Sequence, residues 1–228
     1  MKKSKNFKPV LYRVEDKYAL TKLEFERLRS KFMSILPVDR GETYRISSLY
    51  FDDYKNTCLA DTVNGQPIRE KFRIRIYNDT LDTIKLEHKT KQYSRIHKDS
   101  MTLNIDELNQ LMCSQTIETD NPVANVFNRA ILTRCLRPKV IVTYDRTAFV
   151  YKQGNVRITF DENLCASQNI SEFGNPNLIY DYPETLFRVL EVKYDAFLPD
   201  FIADLLEHGN MWQSANSKYR TCREIYQK

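Results

Sequence analysis

The chain has 228 residues, 42% hydrophobic and 29% charged, with 35 Lys and Arg against 30 Asp and Glu. That length can bury a sizeable core without covalent staples, and the intermixed charges exclude wholesale disorder. The net charge of +5 leaves anionic partners open, while no run approaches the roughly 20 apolar residues of a membrane helix.

Read from the N-terminus, a strand is expected over 10–19. The N-terminal lysines precede no apolar stretch of signal-peptide type, so a soluble, cytoplasmic chain is expected. Thr21 followed by Glu24 reads as a capping box, and Leu28, Phe32 and Ile35 mark a helix face that ends before Pro37. Strands follow over 43–52, 69–78, 82–91 and 94–103, with turn signals at Asn64-Gly65 and Asn78-Asp79. Asn104 with Glu107 opens a short helix over Leu108 and Leu111. Pro122 opens another, through Val126, Ala130 and Ile131 to about Leu136. Further strands run over 139–151, 155–161 and 186–195, with turns at Gly154-Asn155 and Asn175-Pro176. A helix from Asp200 closes at Gly209, and Ser217 starts the last one. The short gaps after 78 and 151 read as hairpins, hence antiparallel pairing. No repeat or linker divides the chain, so one domain is expected: a β-sandwich or barrel with peripheral helices.

Several chemistries lack their residues. The five cysteines, Cys58, Cys113, Cys135, Cys165 and Cys222, form no C-x-x-C, and His88, His97 and His208 form no ligand spacing. With five glycines and no glycine-rich phosphate loop, any phosphate must be held by side chains.

The informative pattern is which residues share a strand face, since i and i+2 point the same way. Lys71, Arg73 and Arg75 oppose Phe72, Ile74 and Ile76. Glu87, Lys89 and Lys91 oppose Leu86 and His88. Arg157, Thr159 and Asp161 oppose Val156, Ile158 and Phe160, and Glu191 with Lys193 opposes Leu190 and Val192. Arg13, Glu15 and Lys17 share a face, and so do Tyr144 and Arg146 with Val140 and Val142. A sheet with one dry and one wet face gives the same alternation. The polar faces here, however, repeat Arg and Lys with single glutamates placed among them. Arg suits bidentate phosphate contacts, and one carboxylate among cations is what a divalent metal on a polyphosphate requires. Turned inward in a closed sheet, so much like charge needs an anion. The 14 Tyr and 12 Phe would also permit stacking on nucleic acid, but basic residues scattered over many strands suit an enclosed site better than an open track, so no nucleic acid is expected.

Seven motifs occur in order: Arg13, Glu15, Lys17 and Tyr18; Ser48, Tyr50, Phe51 and Asp52; Arg69, Lys71, Arg73, Arg75 and Tyr77; Leu86, Glu87 and Lys89; Tyr144 and Arg146; Val156, Arg157, Thr159 and Asp161; Leu190, Glu191, Lys193 and Tyr194. Over about 10–223 this set resembles the VTC domain, the polyphosphate polymerase module of the triphosphate tunnel metalloenzyme (CYTH-like) superfamily. Arg13 stands where the related CYTH branch has the first Glu of E-x-E-x-K. The resemblance implies an α+β fold: an antiparallel eight-stranded β-barrel, the triphosphate tunnel, with peripheral helices. The sequence departs from the eukaryotic complex in lacking its SPX domain and membrane helices, so a free-standing single domain over 1–228 is expected.

By the same resemblance, Arg73, Arg75, Lys89, Arg146 and Arg157 carry the catalysis. Lys17, Lys71, Lys98, Lys193 and Lys218 add substrate contacts, Glu191 holds Mn²⁺ or Mg²⁺, and Glu15 and Glu87 assist it. Asp161 is a wall residue, while Tyr50 and Asp52 are left between structural and functional roles. The implied reaction is polyphosphate synthesis from ATP. Inorganic or nucleoside triphosphatase activity and a non-catalytic polyphosphate-binding module stand as alternatives.

Overall fold

The computed structural model describes residues 14–93, 95–184, 188–207, 211–213 and 216–227. Arg13, His208 and Gly209 lie outside them. In chain order the elements are β1 (Val14–Leu20), α1 (Lys22–Ile35), β2 (Tyr44–Asp52), α2 (Thr57–Val63), β3 (Ile68–Tyr77), β4 (Thr80–Gln92), β5 (Arg95–Leu103), α3 (Ile105–Met112), α4 (Pro122–Arg134), β6 (Arg137–Tyr151), β7 (Val156–Ser167), β8 (Arg188–Tyr194), α5 (Asp200–Glu207), β9 (Trp212–Gln213) and α6 (Lys218–Glu224).

Local chemistry explains the boundaries. The Thr21 hydroxyl accepts from the Glu24 amide at 3.3 Å, and α1 buries Phe25, Leu28 and Phe32. Asn104 and Glu107 complete a reciprocal capping box at α3, and Asn121 caps α4 with Pro122 in its first turn. Between β3 and β4, Asn78 and Asp79 both take φ of 52°, the left-handed pair that a two-residue hairpin requires. Gly154 turns β6 into β7 at φ 73°. A Cβ there would come within 2.5 Å of the Phe197 carbonyl oxygen, so only glycine fits.

All the described strands join one antiparallel sheet in the order β5-β4-β3-β2-β6-β7-β8-β1-β9. The expectation of eight strands closed into a barrel is therefore corrected: nine strands form an open sheet, and among the described residues no backbone ladder joins its two edges. Among the described residues both edges are poor partners for further pairing. At one edge β9 is two residues long, and at the other β5 presents Arg95, His97, Lys98 and Asp99 to solvent, a charged rim that discourages further pairing.

Three cores flank the sheet. On its outer face α1 and α5 cover Phe149, Phe160, Leu190 and Val192, while α3 and α4 cover Phe51, Phe72, Ile74 and Leu86. The third core lies on the opposite face, where Cys58 and Leu59 of α2 and Tyr219 and Cys222 of α6 pack on Ile46, Val140, Val142 and Tyr144. The cationic strand positions share this inner face.

Candidate functional site

Strand register brings the inner-face side chains together. Tyr50 lies opposite Arg73, and Ser48 opposite Arg75. Arg73 is paired with Glu87, Lys71 with Lys89, and Lys89 with Lys98. Farther across, Arg146 sits beside Asp161, Arg157 beside Lys193, and Lys17 beside Glu191. The sheet curls around this face, because Lys89 Nζ on β4 lies 3.6 Å from Glu15 Oε1 on β1.

The charges sort into three clusters. In the first, Arg73 Nε donates to Glu87 Oε2 at 2.6 Å and Lys98 Nζ to Oε1 at 3.0 Å, with Arg75 Nη1 3.8 Å away. In the second, Lys17 Nζ lies 2.6 Å from Glu15 and 4.0 Å from Glu191, and Lys193 bridges the same two carboxylates. In the third, Asp161 accepts two hydrogen bonds from Arg146, at 2.6 and 2.8 Å, and one from Lys218 at 2.7 Å. The cations clearly outnumber the carboxylates. Arg157 stands apart at the rim, held by Asp39 at 2.7 Å.

Tyrosines orient the guanidinium groups. Tyr50 accepts from Arg73 at 2.8 Å, Tyr144 from Arg75 at 3.4 Å, and Tyr44 from Arg157 at 3.2 Å. Arg146 and Lys218 also lie over the Tyr144 ring, and Lys71 over Tyr219. Sequence reasoning missed the hydroxyl of Tyr44 and the role of Ser217. Ser217 caps α6 and accepts from Lys71 Nζ at 3.0 Å. Alternation sets Tyr144 on a face with Arg146 but assigns no face to the strand over 43–52, and pairing each tyrosine with its arginine needs the strand register.

Ionisation follows this crowding. Burial opposes charge on Glu15, and so does neighbouring Glu191, yet Lys17, Lys89 and Lys193 bring its pKa down to about 2. Glu191 and Asp161 are likewise held below their ordinary values against burial, Glu191 by Lys193 and Lys17 and Asp161 by Arg146 and Lys218. Burial lowers Lys71 to about 7, with Lys89, Arg69 and Lys17 adding repulsion. It lowers Lys89 to about 8, where Lys17 and Lys193 oppose the help of Glu15. Two half-buried ammonium groups are thus poised to lose their protons near neutrality.

Asp52 is a scaffold. It accepts the Cys58 and Leu59 amides at 2.9 and 3.1 Å and the Tyr219 hydroxyl at 2.6 Å, tying α2 and α6 to β2. Tyr219 in turn stacks on Tyr50, with ring centroids 4.9 Å apart.

Glu15 and Glu191 are ionised neighbours on adjacent strands. Hard oxygen donors of this kind suit Mg²⁺ or Mn²⁺ held by one or two carboxylates plus substrate phosphates. Among the described residues no group of three His, Cys, Asp or Glu gathers, so an all-protein cage is not formed. Glu87 stands apart from that pair, in the cluster with Arg73 and Lys98.

The VTC domain family profile matches residues 12–226. The fold is similar to that of an adenylyl cyclase-like protein of Hippeastrum described as having a dominant triphosphatase activity. The two share 14% identity and a TM-score of 0.60, covering 93% of this chain and 96% of that one. A second similar structure, an adenylate cyclase-like protein of Bacillus halodurans, gives 14% identity and a TM-score of 0.58, covering 91% and 94%. No curated protein matches the sequence. With inner-face cations converging on one lumen and a family match over nearly its whole length, the chain belongs to the VTC domain family and has the fold of the triphosphate tunnel proteins.

Proposed function

We propose that the protein transfers phosphoryl groups from a triphosphate bound in the curled inner face, and that the reaction is the extension of polyphosphate by ATP. The observation that carries this is the excess of converging cations: in the three clusters Arg73, Arg75, Lys98, Lys17, Lys89, Lys193, Arg146 and Lys218 share four carboxylates, Glu87, Glu15, Glu191 and Asp161. An anion of high charge relieves that repulsion.

Phosphoryl transfer asks the protein mainly for alignment and charge neutralisation. Arg73 and Arg75, oriented by Tyr50 and Tyr144, grip phosphate oxygens. Lys71, Lys89 and Lys98 extend the grip along β3 to β5, while Arg146, Lys193 and Lys218 face it from the other wall and Arg157 from the rim. A terminal oxygen of polyphosphate attacks the γ-phosphorus of ATP. The bond from that phosphorus to the β–γ bridging oxygen breaks, ADP leaves, and the chain is one phosphate longer. Held by Glu191 and Glu15, a divalent cation would supply charge compensation on the phosphate oxygens.

Water as acceptor gives a triphosphatase with the same grip. The polymerase reading is favoured because a polyphosphate terminus is already largely ionised and needs no general base. Glu15, with its pKa near 2, is a weak one. The test is incubation with ATP and Mn²⁺. Long polyphosphate supports the proposal, free phosphate alone assigns hydrolysis, and neither product reduces the protein to a binding module.

A further inference from the structure

At one end of the inner face the cationic ladder gives way to stacked planar groups. On β3 the series Arg73, Arg75 continues to Tyr77, two residues or about 6.6 Å onward. The Tyr77 ring centroid lies 6.2 Å from that of Tyr44, whose hydroxyl already accepts from Arg157. Above both rings sits Arg40, its guanidinium carbon 5.0 Å from the Tyr44 centroid and 5.2 Å from the Tyr77 centroid. The backbone is strained to put it there. Arg40 takes a left-handed φ of 66° in the tight turn Asp39–Gly41, a conformation uncommon for a side chain of this size. The side chain is exposed, and its planar group rests on aromatic faces.

Next to this stack lies a cavity of about 280 Å³, lined by Arg40, Tyr77, Asn78, Thr80, Asp82 and Thr83. Its walls join planar stacking groups to an amide, a carboxylate and hydroxyls, which can hydrogen-bond the edge of a heterocycle. The opposite end of the same hairpin is cationic, with Arg69 paired to Lys91. The inner face is therefore polar along its axis, with aromatic and guanidinium planes at one end and bare positive charge at the other.

We infer that Arg40 and Tyr77 form a stacking shelf for the base of a nucleoside triphosphate, and so set the direction in which that substrate lies, with its base at the Tyr77 end and its phosphates toward Arg73. The inference rests on the reading of the lumen as a triphosphate grip for ATP and deepens it by assigning the site of the base and the direction in which the nucleotide lies. Stacking on aromatic and guanidinium planes accepts any base, so ATP and GTP are held alike.

The test is calorimetric titration with ATP and, separately, with inorganic triphosphate. Arg40→Lys keeps the charge but removes the plane, and Tyr77→Leu removes the ring. Each is expected to weaken ATP about fivefold or more while leaving inorganic triphosphate within twofold. Tyr77→Phe restores ATP affinity because the ring remains. Arg40→Lys lies at an exposed position, so it reads the effect even if Tyr77→Leu fails to fold. Equal losses for both ligands, or no loss of ATP affinity in Arg40→Lys, overturn the shelf and leave the grip standing. A wild-type protein that binds neither ligand overturns the grip, and the shelf with it.

Discussion

Lys89 and Glu15 meet at 3.6 Å although their strands stand six places apart in the sheet. In a flat sheet those six steps of about 4.8 Å would separate them by about 29 Å. The contact therefore measures the curl directly: side-chain charge spans the lumen where the backbone ladder leaves the sheet open. It also fixes an antagonism. Glu15 neutralises Lys17, Lys89 and Lys193, the cations that a triphosphate would otherwise recruit.

Glu15→Gln separates these roles. Without a divalent cation, triphosphate is expected to bind about three- to tenfold more tightly, because three lysines lose a counter-charge. With Mn²⁺ present, turnover is expected to fall at least about tenfold as a metal ligand is lost. Glu191→Gln should abolish the Mn²⁺ dependence altogether. Calorimetry with and without Mn²⁺, followed by a turnover assay, checks both; weaker metal-free binding by Glu15→Gln would show that the carboxylate holds the lysines in place.

Arg73→Ala tests the centre of the grip. Its guanidinium is oriented by Tyr50 and Glu87, so the geometry for phosphate is set before the ligand arrives. Loss of one charge-assisted bidentate contact is expected to lower turnover at least about tenfold, about 1.4 kcal/mol. Glu87 keeps Lys98 and Arg75 as partners, so the fold should survive, and circular dichroism checks that. Unchanged turnover in a folded variant removes Arg73 from the grip.

The convergence of these side chains was legible in the sequence because alternation is local: Lys71, Arg73 and Arg75 must share a face whatever their strand pairs with. The helix starts at Thr21, Asn104 and Pro122 were legible for the same reason, since a cap or a first-turn proline is set by residues at most three apart. Closure was not legible, because it depends on whether β5 and β9 meet, the most distant pairing in the sheet. Helix α2 was missed because its first amides are satisfied by Asp52 from the preceding strand, and Asp52 is itself held by Tyr219 from the far end of the chain. Alternation also placed Glu87 and Glu15 alike on polar faces. Only the partners separate them: Arg73 and Lys98 hold Glu87, while Glu15 shares its lysines with Glu191.

Lys71 and Lys89 make binding depend on pH. Burial and neighbouring cations hold them at about 7 and about 8, so above these values the empty lumen is partly deprotonated. A bound polyanion favours the charged form, so binding takes up protons and affinity falls as pH rises. Between pH 7.5 and 9.5 a loss of at least about tenfold is expected. Titration in buffers of different ionisation heat measures the uptake directly. A flat affinity profile, or proton release, contradicts the placement of these lysines against the anion.

The same depression predicts a trade between stability and binding at Lys71. Its folded pKa lies below the unfolded value of 10.5, so folding discharges it or confines its charge, and this penalty is full at and below about pH 7 and gone near 10.5. Lys71→Met should therefore stabilise the empty protein at pH 7 by about 1–2 kcal/mol, roughly 2–6 °C in Tm, with the advantage shrinking as pH rises toward 10. The same variant should bind triphosphate more weakly. A variant less stable than wild type at pH 7 would mean that the bond to Ser217 outweighs the burial of charge.

Asp52 offers the last test, because it holds the helix that carries Lys218 through Tyr219. Its carboxylate accepts the Tyr219 hydroxyl at 2.6 Å, and Arg223 donates to the same hydroxyl at 2.9 Å while also reaching Asn56. Tyr219 is the neighbour of Lys218, which lies 2.7 Å from Asp161 in the lumen, and Ser217 opens the same helix. Tyr219→Phe removes the hydroxyl and keeps the ring stacked on Tyr50, so the hydrophobic contact survives while the tether between α6 and β2 is lost. A hydrogen bond to a buried carboxyl group is worth about 1–3 kcal/mol, and a loss of that order in unfolding stability is expected. Triphosphate binding should weaken a few-fold, and Lys218→Met introduced on top should cost less than it does in the wild type, because the helix no longer holds that ammonium in register. Additive losses in the double variant would show that Asp52 serves only the stability of the fold and does not position Lys218.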